Sequence, residues 1–127
     1  MQLKTLRYAI DDTPAGPVAT LTFDEQGSPV NTMCAQWQDD LAAAVEQVVK
    51  DKDRLKGLIL ASAKSTFFAG ADLKGVMRMT AADAPQVFAG IERVKRCFRT
   101  LETLGLPVVA CINGSALGGG METALVG

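Results

Sequence analysis

Pro107-Val108-Val109-Ala110-Cys111-Ile112-Asn113-Gly114-Ser115-Ala116-Leu117-Gly118-Gly119-Gly120-Met121-Glu122 begins as an apolar run and then becomes small and glycine-rich. The run predicts a buried strand over residues 107–112, and the glycines lead into a helix opening at Gly119 or Gly120. An earlier stretch has the same form. Leu58-Ile59-Leu60-Ala61 reads as a buried parallel strand, followed by the loop Thr66-Phe67-Phe68-Ala69-Gly70-Ala71-Asp72-Leu73-Lys74. Between them, Val87, Phe88, Ile91, Val94, Phe98 and Leu101 recur at helical spacing and predict a helix over about 82–104. Upstream, Asn31 stands where an N-cap is wanted, ahead of Met33, Trp37, Leu41, Val45 and Val48, which predicts a helix to about Lys52. Residues 3–10 and 17–23 alternate apolar with polar, and the turn formers of 11–16 join them into a hairpin. Strand, helix, strand, helix, strand implies an α/β fold with a largely parallel sheet, right-handed crossovers and ligand sites beyond the carboxyl ends of the strands. The glycine-bearing loops, 62–74 and 113–122, occupy those ends.

Composition narrows the function. The 127 residues are 48% hydrophobic, with 13 basic and 14 acidic side chains and a formal charge of −1, which suits one globular domain. No polybasic surface is available for nucleic acid or an anionic membrane. Cys34, Cys97 and Cys111 are odd in number and widely spaced, so neither a disulfide framework nor a zinc site is suggested, and a reducing cytoplasm fits. Cys97 and Cys111 read as small buried thiols. No apolar run reaches the roughly 20 residues of a membrane span. Histidine is absent, so Ser-His-Asp, Cys-His and histidine-metal chemistry cannot be built from these residues alone. Carboxylates and backbone amides remain.

Each loop carries two readings. Small residues at Ala69, Gly70 and Ala71 leave the backbone uncovered for a ligand, while Asp72 also fits the N-cap of a tight strand-to-helix turn. The Gly118-Gly119-Gly120 run makes an anion cradle at a helix start, but it has neither the Lys of a Walker loop nor the spacing of a dinucleotide fold. Glu122, in the first helical turn, serves either the dipole and cap or proton transfer. Together, the loops offer amides at one sheet edge, with a carboxylate one turn beyond. Stabilising a thioester enolate requires such donors for an oxyanion and a nearby acid or base. Phe67 and Phe68 read as core, and Ser62, Ser65 and Ser115 as turn or hydrogen-bonding residues.

Phe68-Ala69-Gly70-Ala71-Asp72-Leu73 resembles the first signature of the crotonase (enoyl-CoA hydratase/isomerase) superfamily, and Ala110 to Gly114 with Gly118 to Glu122 resembles the second. Ser28-Pro29-Val30-Asn31-Thr32-Met33 is most similar to the hydratase portion of bifunctional fatty-acid oxidation α-chains. The resemblance implies a crotonase-like spiral of ββα units, with residues 1–127 the N-terminal part of one truncated domain. It makes the amides of Ala71 and Gly119 the oxyanion hole and Glu122 the first of two catalytic glutamates, the second lying beyond Gly127. It places Ala69, Gly70, Asp72, Leu73 and Lys74 along the coenzyme A path.

The implied parent is a cytoplasmic, homo-oligomeric lyase of fatty-acid β-oxidation that hydrates trans-2-enoyl-CoA to 3-hydroxyacyl-CoA without a metal or other cofactor. In bifunctional relatives a dehydrogenase portion follows the crotonase domain. An enoyl-CoA isomerase or other crotonase activity is the alternative within the class. From another class comes a noncatalytic acyl-CoA-binding or assembly fragment, and the short chain alone is expected to be inactive.

Overall fold

The computed structural model describes residues 3–70 and 77–127. Strands β1 (Leu6–Thr13), β2 (Gly16–Phe23), β3 (Gly57–Ser62) and β4 (Val108–Ala110) lie in that order in one sheet. β1 and β2 are antiparallel, and β3 and β4 then add in parallel. Helix α1 (Ala35–Asp51) crosses from β2 to β3, α2 (Ala84–Glu102) crosses from β3 to β4, and α3 (Gly119–Ala124) follows the second glycine loop. The mixed α/β architecture with a mostly parallel sheet is the one its periodicities imply.

Several details depart from the sequence reading. The hairpin turn is tighter than 11–16, because pairing continues through Asp12↔Pro17 and Thr13↔Gly16 and leaves only Pro14 and Ala15 between the strands. Gly16, at φ 121°, takes the left-handed geometry that closes it. Asn31 is not the cap of α1, whose N-cap is Cys34. Residues 31–33 are instead drawn into pairing with the first loop, through a parallel bridge between Thr32 and Gly70.

α2 is shorter than 82–104 and is preceded by a single 3-10 turn, Ala81–Asp83, closed by reciprocal bonds between Thr80 and Asp83. Of its apolar stripe, Val94, Phe98 and Leu101 are buried together with Cys97, but Phe88 and Ile91 are exposed. Helical periodicity locates a face without stating what covers it. β4 pairs over only three residues, and Val109 and Ile112 are each 54% exposed, so 107–112 is not a buried strand. Cys111 is exposed as well, unlike the buried Cys97.

The core gathers beneath the first loop. Phe23, Trp37, Phe67 and Phe68 are all at most 1% exposed. Trp37 and Phe68 meet edge to face at 5.2 Å between centroids, and Phe23 and Phe68 at 5.4 Å. Such pairs add about 0.5–1.5 kcal/mol each beyond area burial. Phe67 and Phe68 are therefore core, as their sequence context suggests, and they fix the floor on which the loop rests.

Asp40 ties the N-terminal segment to α1. Its Oδ2 accepts from Lys4 N (3.0 Å), Thr5 N (2.8 Å) and Thr5 Oγ1 (2.7 Å), and its Oδ1 accepts from Gln36 Nε2 (2.8 Å). Burial pushes the carboxyl pKa up, but the hydrogen bonds from Thr5, Gln36 and Lys4 outweigh it and hold the group below the usual carboxylate range. Asp40→Ala strands the Thr5 donors and is expected to cost about 2–3 kcal/mol. Because the folded pKa is depressed, this stabilisation is present above the unfolded value near about 4 and is lost as pH falls through the folded one. Denaturant melts of wild type and Asp40→Ala should therefore converge as the solution is acidified, and a gap that stays constant through that range would count against the assignment.

Candidate active site

The first loop leaves the carboxyl end of β3 and the second leaves that of β4, so neighbouring parallel strands deliver both to one sheet edge. They are stitched together there. Phe67 N (3.0 Å) and Phe68 N (3.1 Å) donate to Ser115 O, and Leu117 N returns a bond to Phe68 O at 3.1 Å. Residues 31–33 add a third segment, with Ala69 N donating to Asn31 O and Met33 N to Gly70 O, each at 2.8 Å. Side chains reinforce the junction. Ser62 Oγ donates to Thr66 O, and Asn113 Nδ2 donates to Lys64 O across the loops. Lys64 Nζ donates to Glu25 O and Ser28 O and pairs with Asp24 at 3.0 Å.

The glycines are explained in part by this closeness. A Cβ on Gly114 would lie 2.5 Å from Ser65 O, and one on Gly120 would lie 2.4 Å from Phe68 O. Gly70 has φ 101°, and a Cβ there would sit 2.8 Å from Leu117 O and 3.7 Å from Gly119 N. The Gly119 amide is thus brought beside Gly70, at the junction of the two loops. Among the described residues no backbone carbonyl accepts the Gly119 N–H.

The positions singled out from sequence fare differently. Gly119 is half-buried at the start of α3, after Gly118, whose φ of 51° also favours glycine. Ala69 is half-buried and Gly70 buried, and the Ala69 amide and Gly70 carbonyl are already bonded to 31–33. Ala71, Asp72, Leu73 and Lys74 lie outside the described residues. Glu122 is exposed in the first turn of α3, where no side-chain cap bond forms. Its side of α3 faces a cleft of about 450 Å³ shared with Lys95, Phe98, Arg99, Glu102 and Leu125, and no other described residue of either glycine loop lines it. A larger groove of about 550 Å³ between α1 and α2 is lined by Val45, Val49, Arg93, Arg96 and Cys97 and contains none of these positions. The Gly119 amide, without a backbone acceptor among the described residues and placed where the two loops meet, makes the junction a stronger candidate than either groove.

Sequence reasoning missed Lys64 and Asn113, because hydrogen bonds from loop side chains to main chain leave no periodic signal. It also misassigned Asn31, whose position four residues ahead of the first helical residue, instead of one, was the available clue. Among the described residues no cluster of His, Cys, Asp or Glu is arranged to hold a metal ion, and no helix is long and apolar enough to cross a membrane.

Comparison with known proteins fits this geometry. The family described as enoyl-CoA hydratase/isomerase matches residues 14–127. The fatty acid oxidation complex subunit alpha of Acinetobacter baylyi is 41% identical over 109 residues, covering 86% of this chain and 15% of that protein. Its counterpart from Shewanella amazonensis is 37% identical over 109 residues, covering 85% and 15%. The chain thus spans only a small part of the curated relatives it matches. Among solved structures, an enoyl-CoA hydratase from Bacillus anthracis superposes with a TM-score of 0.76 at 28% identity, over 94% of this chain and 44% of that one. An enoyl-CoA hydratase/carnithine racemase from Magnetospirillum magneticum gives 0.81 at 25% identity, over 98% and 45%. Matched along nearly its whole length and folded as those structures are, the chain belongs to the enoyl-CoA hydratase/isomerase, or crotonase, family.

Proposed function

We propose that the protein bearing this segment adds water syn across trans-2-enoyl-CoA to give 3-hydroxyacyl-CoA in fatty-acid β-oxidation, with residues 1–127 forming the N-terminal part of its crotonase domain. The observation that carries this reading is the junction of the two loops, where the Gly119 amide stands beside Gly70 with no backbone acceptor among the described residues. Backbone amides at such a point suit the oxygen of a thioester as it gains negative charge.

In the proposed step, the amides of Ala71 and Gly119 hold that oxygen. Water attacks the β-carbon, the π electrons move through the α-carbon to the thioester oxygen, and Glu122 and a second carboxylate beyond Gly127 share the proton work. One proton leaves the water and one reaches the α-carbon, so the step balances without metal or redox cofactor. Ala69 and Gly70, with Asp72, Leu73 and Lys74, would line the path of the coenzyme A portion. The protein would work in the cytoplasm as a homo-oligomer on acyl-CoA, without nucleic acid.

Isomerisation of 3-enoyl thioesters uses the same oxyanion site, and the family's description covers both activities. A preparation carrying the complete domain is expected to turn over 2-enoyl-CoA in preference to 3-enoyl-CoA, whereas acyl-CoA binding without turnover would favour a noncatalytic binding role. Preference for the 3-enoyl substrate would replace hydration with isomerisation, and failure of the complete domain to bind any acyl-CoA would overturn both readings.

A further inference from the structure

We propose that Asn31 is a positioning residue for the oxyanion site, acting through the first loop and not by touching substrate. The inference rests on the proposed oxyanion role of the Gly119 amide.

Asn31 is 1% exposed, and its side chain is fully engaged across two elements. Nδ2 donates to Ser62 Oγ at 2.9 Å and to Phe67 O at 3.1 Å, while Oδ1 accepts from Glu25 N at 3.1 Å. Its main-chain oxygen accepts from Ala69 N at 2.8 Å. One residue therefore grips the loop on both sides of Phe68, by the carbonyl before it and the amide after it. Two positions on, Met33 N donates to Gly70 O at 2.8 Å.

The neighbouring bonds show why this restraint reaches the site. Phe68 passes it to the second loop through Ser115 O and Leu117 N, three residues and one residue before Gly118. Ser62 Oγ, which receives the Asn31 amide, also accepts from Lys64 N at 3.0 Å and donates to Thr66 O at 2.7 Å. A helix cap would need none of this. A buried amide with both its donor and acceptor atoms committed between β3, the 25–31 segment and the loop is built to hold that loop in one place.

The test compares Asn31→Asp and Ser62→Ala with Val48→Ala in a preparation carrying the complete domain. The first two break the Asn31–Ser62 contact from either side, and Val48 is a fully buried core residue outside the site. Melting temperature, kcat and KM for 2-enoyl-CoA, and the thioester carbonyl stretch of bound saturated acyl-CoA are measured for each. The expected result is a fall in kcat of roughly 10- to 100-fold per folded molecule, the scale of displacing a group that orients the reacting centre. KM should change little, and the carbonyl stretch should move back toward that of free thioester in both variants. Val48→Ala should lower the melting temperature while leaving kcat and the carbonyl stretch as in wild type.

Wild-type kcat and carbonyl stretch in a folded Asn31→Asp or Ser62→Ala enzyme would overturn the proposal, as would equal loss in Val48→Ala at matched stability. If the wild type itself shows no carbonyl shift on binding, the oxyanion reading fails and this inference falls with it. That result is distinct from a shifted wild type with unaffected variants.

Discussion

Glu122→Gln, in a preparation carrying the complete domain, is expected to lower hydration by about 100-fold or more while thioester binding survives. Glutamine preserves the size and hydrogen-bonding reach of the side chain and removes only its capacity to take or give a proton. The alternative, that Glu122 serves the helix end, predicts a different outcome. A first-turn carboxylate contributes about 0.3–1 kcal/mol through the dipole, which would appear as a small loss of melting temperature with turnover intact. Glu122 is exposed in the first turn of α3 and makes no side-chain cap bond there. Paired measurement of melting temperature and hydration rate decides between the readings, and near-normal turnover in a folded variant would sink the catalytic one.

The second large effect is expected at Gly120. A methyl there would lie 2.4 Å from Phe68 O and 2.8 Å from Phe68 Cβ, and Phe68 is fully buried against Phe23 and Trp37. Neither neighbour has room to withdraw. Gly120→Ala should cost about 3 kcal/mol, at the upper end of overpacking a close-packed site. It should also lower turnover, because the displaced carbonyl is the one that receives Leu117 N and couples the loops. Gly119→Ala provides the contrast. Its methyl would meet Met33 Sδ at 2.4 Å, but a thioether side chain can change rotamer at a cost of about 1 kcal/mol. Chemical denaturation of both variants tests this order, and equal destabilisation would show that contact with backbone is not what forbids a side chain at Gly120.

The buried strand β3, the presence of β4 and the glycine loops were legible in sequence because each combines an apolar run with a change in side-chain size. β3 is the clearest case, for Leu58 and Leu60 are both 1% exposed. The extent of β4 was not legible, since Val109 and Ile112 look as apolar as any core residue but are exposed. Apolar character records what a position tolerates, while cover depends on the elements packed against it. The reading of Asn31 as a helix cap was overturned for a related reason. Asparagine before a helical stripe satisfies the local rule for a cap, and only the arrival of Ser62 and the carbonyl of Phe67, from far along the chain, gives it a better set of partners. For the candidate site, the motif placed Gly119 and Glu122 on the correct element, but it did not reveal that Glu122 lines a cleft walled by α2.

The stitched loops also bear on how the molecule comes into being. The hairpin of β1 and β2 and the turns of α1 and α2 join near neighbours, but the junction is closed by long connections. Asn31 reaches Phe67 across 36 positions, and Asn113 reaches Lys64 across 49. Each such closure is an entropic debt that rises with the logarithm of the span, by about 0.6 kcal/mol per doubling, and it must be met before the contact gives anything back. Local elements are therefore expected to consolidate first, and the loop junction to close in the late, slow part of folding, when residues 31, 67 and 115 are finally held together. A partly folded chain already has its hairpin and helices, but it does not yet present the junction on which the proposed chemistry depends.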